Sequence, residues 1–105
     1  MVKKREIVWT LPARNDLQVL YDYLADISSK IAERQVDRII QKVDILKVGF
    51  VNIGQMEPLL QDRPFEYRYL VQDNYKIIYC IREDKIVVSA VFDTRQYPGA
   101  LKEKI

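Results

Sequence analysis

The chain has 105 residues, of which 49% are hydrophobic and 30% are charged, and its formal net charge is +2. This size and composition predict one globular domain over residues 1–105 and exclude an intrinsically disordered chain. There is no histidine and one cysteine, Cys80. That excludes an internal disulfide, a serine–histidine or cysteine–histidine catalytic system, and zinc held by its usual ligands. We expect no metal and no cofactor.

The N-terminus, MVKKREIVW, is basic and lacks the apolar stretch of a secretory signal. No apolar run approaches the roughly 18 residues that indicate a membrane span. One free thiol suits a reducing compartment. We therefore expect a cytoplasmic protein without a membrane segment.

The first half of the chain predicts a strand followed by two helices. Residues 6–10 are rich in β-formers, and Pro12 suits the opening turn of a helix. Ser28 and Ser29 can cap a second helix, which ends at Gly49 or just beyond it. The link between the helices is short and predicts an antiparallel hairpin. The expected apolar faces are Ala13, Leu17, Leu20, Leu24 and Ile27 on the first helix, and Val36, Ile39, Ile40, Val43 and Leu46 on the second.

The second half of the chain changes to a period of two. Residues 50–64 are irregular, and strands are then predicted at residues 66–71, 75–82 and 85–92. The two links are short and polar, which predicts an antiparallel meander. The fold class is therefore α+β, with an N-terminal strand and with the helical hairpin packed on one face of the sheet. The other face is expected to stay polar or to bind something.

Four cations on or after these strands are candidates for binding a target or an acidic protein: Arg68, Lys76, Arg82 and Arg95. Alternation along the strand places Lys76 and Arg82 on the same face. We expect Arg68, Lys76 and Arg95 to cluster on one side of the sheet, where they would hold phosphate or carboxylate groups. Each cation taken alone is more typical of a charge that only keeps an exposed strand soluble, and the combination favours binding.

Two further features have two interpretations each, and a third has one. The row Arg34, Arg38 and Lys42 lies along one stripe of the second helix and is either solvated or a partner-binding surface. The loop carboxylate of Glu57 is either a general base or simply solvated. Cys80 is expected to pack inside a strand.

The segment YRYLVQDNYKIIYCIREDKIVVSAVFDTRQYP, which follows a strand and a helical hairpin, resembles the RelE/ParE superfamily of bacterial toxins. These are the toxins of type II toxin–antitoxin modules, which are often plasmid stabilisation systems. The resemblance implies a cognate antitoxin and one of two activities. RelE-like members are mRNA interferases that cut ribosome-bound mRNA without a metal, and ParE-like members inhibit DNA gyrase.

The resemblance to RelE implies a role for several residues in an endonuclease. Arg68 matches the first of two strand lysines, but Leu70 stands where the second should be. Lys76 replaces a strand arginine, Arg95 matches the arginine after the last strand, and Tyr97 is nearest to a distal tyrosine.

The loop Gly54-Gln55-Met56-Glu57-Pro58-Leu59 resembles the G-x-x-E-P-L loop of the related YoeB toxin, whose glutamate is the base. Gln96 lies where that toxin has a histidine. The endonuclease alternative therefore takes Glu57 as base, three cations for phosphate charge, and Tyr97 as an assisting group.

Leu70 and Gln96 stand where the RelE and YoeB toxins have residues that transfer protons. These two replacements, and the sequence FDTRQ shortly before a proline, are more similar to ParE-like members. We expect growth inhibition by binding a target such as DNA gyrase, without chemistry by this chain. The ribosome-dependent endoribonuclease is the alternative, and a basic binding module without toxicity is a second one.

Overall fold

The computed structural model describes residues 4–48, 54–96 and 99–105. Its α+β architecture confirms the predicted fold class. In chain order the elements are β1 Glu6–Trp9, α1 Leu11–Ala25, α2 Ser29–Asp44, β2 Gln55–Met56, β3 Arg68–Gln72, β4 Tyr75–Arg82, β5 Lys85–Asp93 and α3 Gly99–Lys104.

Both long helices begin where the sequence predicts. Thr10 and Ser28 have extended backbone, and their hydroxyls accept hydrogen bonds from the N–H groups of Ala13 and Ile31. The Thr10 hydroxyl also donates to the Val88 carbonyl at 2.8 Å, which ties the start of α1 to the sheet.

The end of α2 differs from the prediction at Gly49. The α-helix stops at Asp44, and the chain continues as a tighter 3₁₀ turn over Ile45–Val48. Last turns often tighten in this way, and periodicity alone does not distinguish them from α-helix. None of the helices within the described ranges has both the length and the apolar composition that a bilayer crossing requires.

The sheet has five strands in the order β1-β5-β4-β3-β2. Strands β3, β4 and β5 form the predicted antiparallel meander. The first strand, β1, pairs in parallel with β5, from Glu6 opposite Lys85 to Trp9 opposite Val88. The short strand β2 adds to the far edge beside β3, within a segment predicted to be irregular.

Both faces of the sheet carry buried apolar side chains. We call the side covered by α1 and α2 the helical face, and the opposite side the loop face. Apolar residues of both helices pack with Ile77, Tyr79, Ile86 and Val88 on the helical face. The loop face is covered by the 3₁₀ turn Pro58–Leu60 and by α3. The buried residues on this face, from the sheet and from its cover, are Leu60, Ile78, Ala90, Phe92 and Leu101.

The loop face is therefore largely apolar and covered, which corrects the expectation of a polar or open second face. Periodicity indicated which strand residues alternate, but it did not show that α3 would bury Leu101 there. Cys80 is buried in β4, as expected. Two residues expected on the apolar faces of the helices are exposed, Ile27 at 71% and Ile40 at 37%.

One residue of the basic row on α2 has a fixed partner. Asp73, in the turn between β3 and β4, accepts a hydrogen bond from Gln35 and lies 3.6 Å from the Arg38 guanidinium. Hydrogen bonds from Gln72 and Gln35, together with the charge of Arg38, lower the pKa of the Asp73 carboxyl. Arg38 and Gln35 of α2 thus both lie within reach of this turn of the sheet.

Replacing Thr10 tests how strongly the cap joins α1 to β5. We expect Thr10→Ala to lower the free energy of unfolding by about 1–2 kcal/mol, because the cap and the bond to Val88 are both lost. Thr10→Ser keeps the hydroxyl and is the matched control. Urea unfolding followed by circular dichroism measures both, and equal stability of the two variants would contradict the role of the hydroxyl.

Candidate functional site

The carboxylate of Glu57 is buried and fully engaged. Glu57 precedes Pro58, which favours an extended backbone at Glu57 and lets it cap the 3₁₀ turn Pro58–Leu60. One carboxylate oxygen, Oε1, accepts the Leu59 N–H at 3.3 Å, and the other, Oε2, accepts from Lys76 Nζ at 3.0 Å. Only 1% of Glu57 is exposed. The pair joins the loop to β4 on the loop face.

The ammonium group of Lys76 is held from two sides. Besides its bond to Glu57, Nζ lies 4.2 Å from the centroid of the Tyr69 ring, a favourable cation–π position. The Tyr69 hydroxyl in turn donates to the side-chain carbonyl of Gln55 at 2.9 Å. The side chain of Lys76 is 23% exposed, so little of its charge faces solvent.

Arg68 lies on the opposite face from Lys76. In β3, Arg68 and Leu70 alternate with Tyr69, and Leu70 belongs to the core under the helices. The Arg68 guanidinium donates to Glu66 Oε2 at 2.8 Å and to the Gly54 carbonyl at 2.7 Å. Its hydrogen bonds therefore connect β3 with the chain on either side of β2.

Arg95 lies just beyond β5 and is held by Asp93. Its Nε and one terminal nitrogen donate to the two carboxylate oxygens at 3.0 and 2.8 Å. These hydrogen bonds lower the pKa of the Asp93 carboxyl and raise the pKa of the Arg95 guanidinium. The Arg95 side chain remains 58% exposed, so it is accessible to a partner.

The remaining predicted site residues lie elsewhere or outside the described residues. Arg82 shares the loop face with Lys76, as predicted, but its guanidinium stacks at 4.2 Å over the Phe65 ring near the end of β4. Tyr97 lies outside the described residues.

The expected cluster of Arg68, Lys76 and Arg95 does not form. Lys76 lies on the loop face, Arg68 on the helical face, and Arg95 beyond the end of β5. The physical reason is the pairing register of β3 with β4, which puts Arg68 opposite Tyr79 of the helical core. Shifting a strand by one residue moves every side chain to the other face, and the sequence did not specify that register.

A groove of about 560 Å³ lies between α1, the end of β5 and α3. Tyr75 and Val91 form its apolar floor, and Val19 and Tyr23 of α1 form one wall, with exposed fractions of 69% and 63%. Arg95 lies at its rim. The resemblance stated above implies a large apolar or basic groove for a partner segment but does not locate it. The apolar residues of α1 outside the predicted core stripe would have indicated this surface.

The described residues contain no group of three or more histidine, cysteine, aspartate or glutamate side chains that could hold a metal ion. Burial raises the pKa of the Cys80 thiol, so the thiolate is disfavoured. The chemically usable features are therefore the Glu57–Lys76 pair, the exposed cations and the groove.

Comparison with known proteins identifies the family. The family model described as the ParE toxin of the type II toxin–antitoxin system, parDE, matches residues 7–98. The chain therefore belongs to the ParE toxin family, which confirms the resemblance to the RelE/ParE superfamily.

A solved structure supports the fold. The chain is similar to one in a structure described as the chromosomal ParDE TA system from P. aeruginosa, with a TM-score of 0.69 and 22% identity. The match covers 86% of this chain and 96% of that chain. At this identity the likeness establishes a shared fold. Among curated proteins, none matches this chain.

Breaking the Glu57–Lys76 pair should destabilise the protein. We expect Lys76→Met to lower the free energy of unfolding by about 2–4 kcal/mol, since it leaves a buried carboxylate without its cation. The double variant Glu57→Gln/Lys76→Met should recover at least half of that loss, because the glutamine oxygen still accepts the Leu59 N–H. A double-mutant cycle in urea measures the coupling, and additive effects would show that the two groups do not interact.

The pair Asp93–Arg95 should make stability depend on pH. Because Asp93 has a lowered pKa in the folded state, its contribution is present above its unfolded pKa and is lost as pH falls through its folded pKa. The difference in unfolding free energy between the wild type and Arg95→Gln should therefore shrink from pH 7 to pH 2.5. A difference that stays constant across this range would contradict the ion pair.

Proposed function

We propose that this ParE-family chain is the toxin of a type II toxin–antitoxin module that stops growth by binding a target in the cytoplasm, DNA gyrase being the leading candidate. A cognate antitoxin holds it inactive. Family membership supports the module assignment. The preference for binding over chemistry rests on the site geometry.

The burial of Glu57 is the observation that carries this preference. A general base must come within about 2.6–3.2 Å of the proton that it takes, which for RNA cleavage is that of a 2′-hydroxyl. The Glu57 carboxylate is 1% exposed, and both of its oxygens already accept hydrogen bonds. A carboxylate held in this way supports a structural role.

The positions of the cations support the same preference. Phosphoryl chemistry needs donors that converge on one developing charge. Lys76 and Arg68 lie on opposite faces of the sheet, and Arg95 lies beyond its end. Such an arrangement suits several separate contacts with a macromolecule better than a single reacting phosphate.

The exposed cations are the better candidates for direct contact with target or antitoxin. Arg95 has a 58% exposed side chain at the rim of the groove, and Arg82 is exposed beside Phe65. We assign these two to partner contact. Lys76 and Arg68 would support the surface from within, through their bonds to Glu57 and Gly54.

Expression in cells without antitoxin tests the proposal. We expect growth arrest with DNA-damage signalling and full-length transcripts in primer extension. The variant Glu57→Gln/Lys76→Met, if circular dichroism shows it folded, should still arrest growth.

Codon-phased cuts in mRNA that disappear in this variant would establish the endoribonuclease alternative instead. Normal growth with abundant folded wild-type protein would point to a binding module without toxicity. Arg95→Glu, compared with Lys102→Glu on α3, tests whether the groove rim contributes to toxicity.

A further inference from the structure

The first strand, β1, lies at one edge of the sheet and, within the described residues, pairs with β5 alone. Just after β1, the Thr10 N–H donates to the Val88 carbonyl of β5 at 3.1 Å. The main-chain groups of successive residues point to opposite sides of a strand. Even-numbered positions of β1 therefore face β5, and odd-numbered positions face away from the sheet.

One of these outward positions is already paired. The Arg5 N–H donates at 2.8 Å to the Lys47 carbonyl in the 3₁₀ turn that follows α2. That turn closes the edge beside Arg5 and leaves it open at Ile7 and Trp9. Among the described residues, no group pairs with the N–H or the carbonyl of these two. The open edge thus offers two donors and two acceptors.

The three residues of this open edge lack the features that usually prevent strands from pairing. Protein edges are commonly protected by lysine, proline, a bulge or a cover. Ile7, Val8 and Trp9 are apolar and partly exposed, and their register with β5 is regular. Ile7 and Trp9 pack against the core under the helices, so Val8 lies on the loop face. An unprotected apolar edge indicates a partner strand.

A second copy of the same edge satisfies all four groups in one register. When the strands run antiparallel about a two-fold axis with Val8 opposite Val8 of the second copy, Ile7 lies opposite Trp9 of the second copy. Each of the two Ile7–Trp9 pairs then exchanges two main-chain hydrogen bonds. The contact has four hydrogen bonds in all and leaves no donor or acceptor of the open edge unused.

The neighbouring registers use less of the edge. Centring the axis on Ile7 sets Trp9 against Arg5, whose N–H is already bonded to the 3₁₀ turn. Centring it on Glu6 puts two carboxylates directly opposite each other, which is unfavourable. Centring it on Trp9 sets Ile7 against Leu11, which already belongs to α1. The register described above is therefore the one that the edge favours.

The side chains also fit this register. On the helical face, Ile7 beside Trp9 is a β-branched residue paired with an aromatic one, a favourable combination across strands. On the loop face, the two Val8 side chains form a non-hydrogen-bonded pair, in which side chains approach closely. Glu6 lies opposite Thr10, so no like charges meet. The contact is apolar at its centre and complementary to itself.

We propose that β1 pairs with β1 of a second copy of this chain, which joins two five-stranded sheets into one continuous sheet around a two-fold axis at Val8. The small contact area predicts a weak dimer, with a dissociation constant on the order of 100 µM. Because the same surface is used on both copies, the contact closes on itself and does not lead to filaments. The inference concerns the chain alone and does not depend on the proposed target or antitoxin.

A charge exchange at Val8 tests the register. Val8→Lys and Val8→Glu each put two like charges on the axis and should weaken the dimer at least tenfold in sedimentation equilibrium. An equimolar mixture of the two variants should associate again, because lysine then faces glutamate. Val71→Lys, at an exposed apolar position of β3, is the matched control and should dimerise like the wild type. Val8 belongs to neither buried cluster, and circular dichroism checks that the variants fold.

Amide hydrogen exchange of the wild type is a second measurement that needs no substitution. Between about 10 µM and about 1 mM protein, the Ile7 and Trp9 amides should slow roughly fourfold, in proportion to the fraction of monomer. The Arg5 amide is bonded to Lys47 in both states and should not change.

Each contrary result has a definite meaning. A chain that stays monomeric at about 1 mM, with Ile7 and Trp9 exchange unchanged, would overturn the proposal. So would a dimer that survives in Val8→Lys, since the contact would then lie on another surface. Failure of the mixed variants to associate would contradict the register, and open-ended oligomers would contradict the two-fold axis. None of these results bears on growth arrest, which tests the proposed function separately.

Discussion

The buried ion pair between Glu57 and Lys76 determines what the loop face of this protein can do. It joins residues 19 apart in the chain and fixes the 3₁₀ turn Pro58–Leu60 against the sheet. With that turn in place, Leu60 meets the apolar residues that α3 also covers. The same contact removes the carboxylate from solvent. One interaction therefore completes the second core and takes away the best candidate for a general base.

Both faces of the sheet are covered, and the described residues offer the groove, the strand edges and the exposed cations for contact with other molecules. That distribution suits a protein that acts by contact with other macromolecules. The Asp16 carboxylate accepts the Val91 N–H and so joins α1 to the outer edge of β5 beside the groove. Membership of the ParE toxin family is consistent with a toxin whose state depends on which partner holds it.

The sequence predicted most elements because their signals are local. Pro12 and Ser28 marked the helix starts, and the period of two with polar turns gave β4 its observed bounds. The errors concern non-local contacts. Nothing in β3 alone placed Arg68 opposite Tyr79, and Glu57 was expected to be solvated or a general base because its partner Lys76 lies 19 residues away. The two-residue strand β2 is too short for any periodicity to reveal.

Purified components test most directly the proposal that this chain binds a target and performs no cleavage. DNA gyrase should lose its supercoiling activity when the toxin is added and recover it when the antitoxin follows. In parallel, mRNA on programmed ribosomes should remain intact at the same toxin concentration. Unimpaired supercoiling together with cleaved mRNA would contradict the account and return Glu57 to the role of a base.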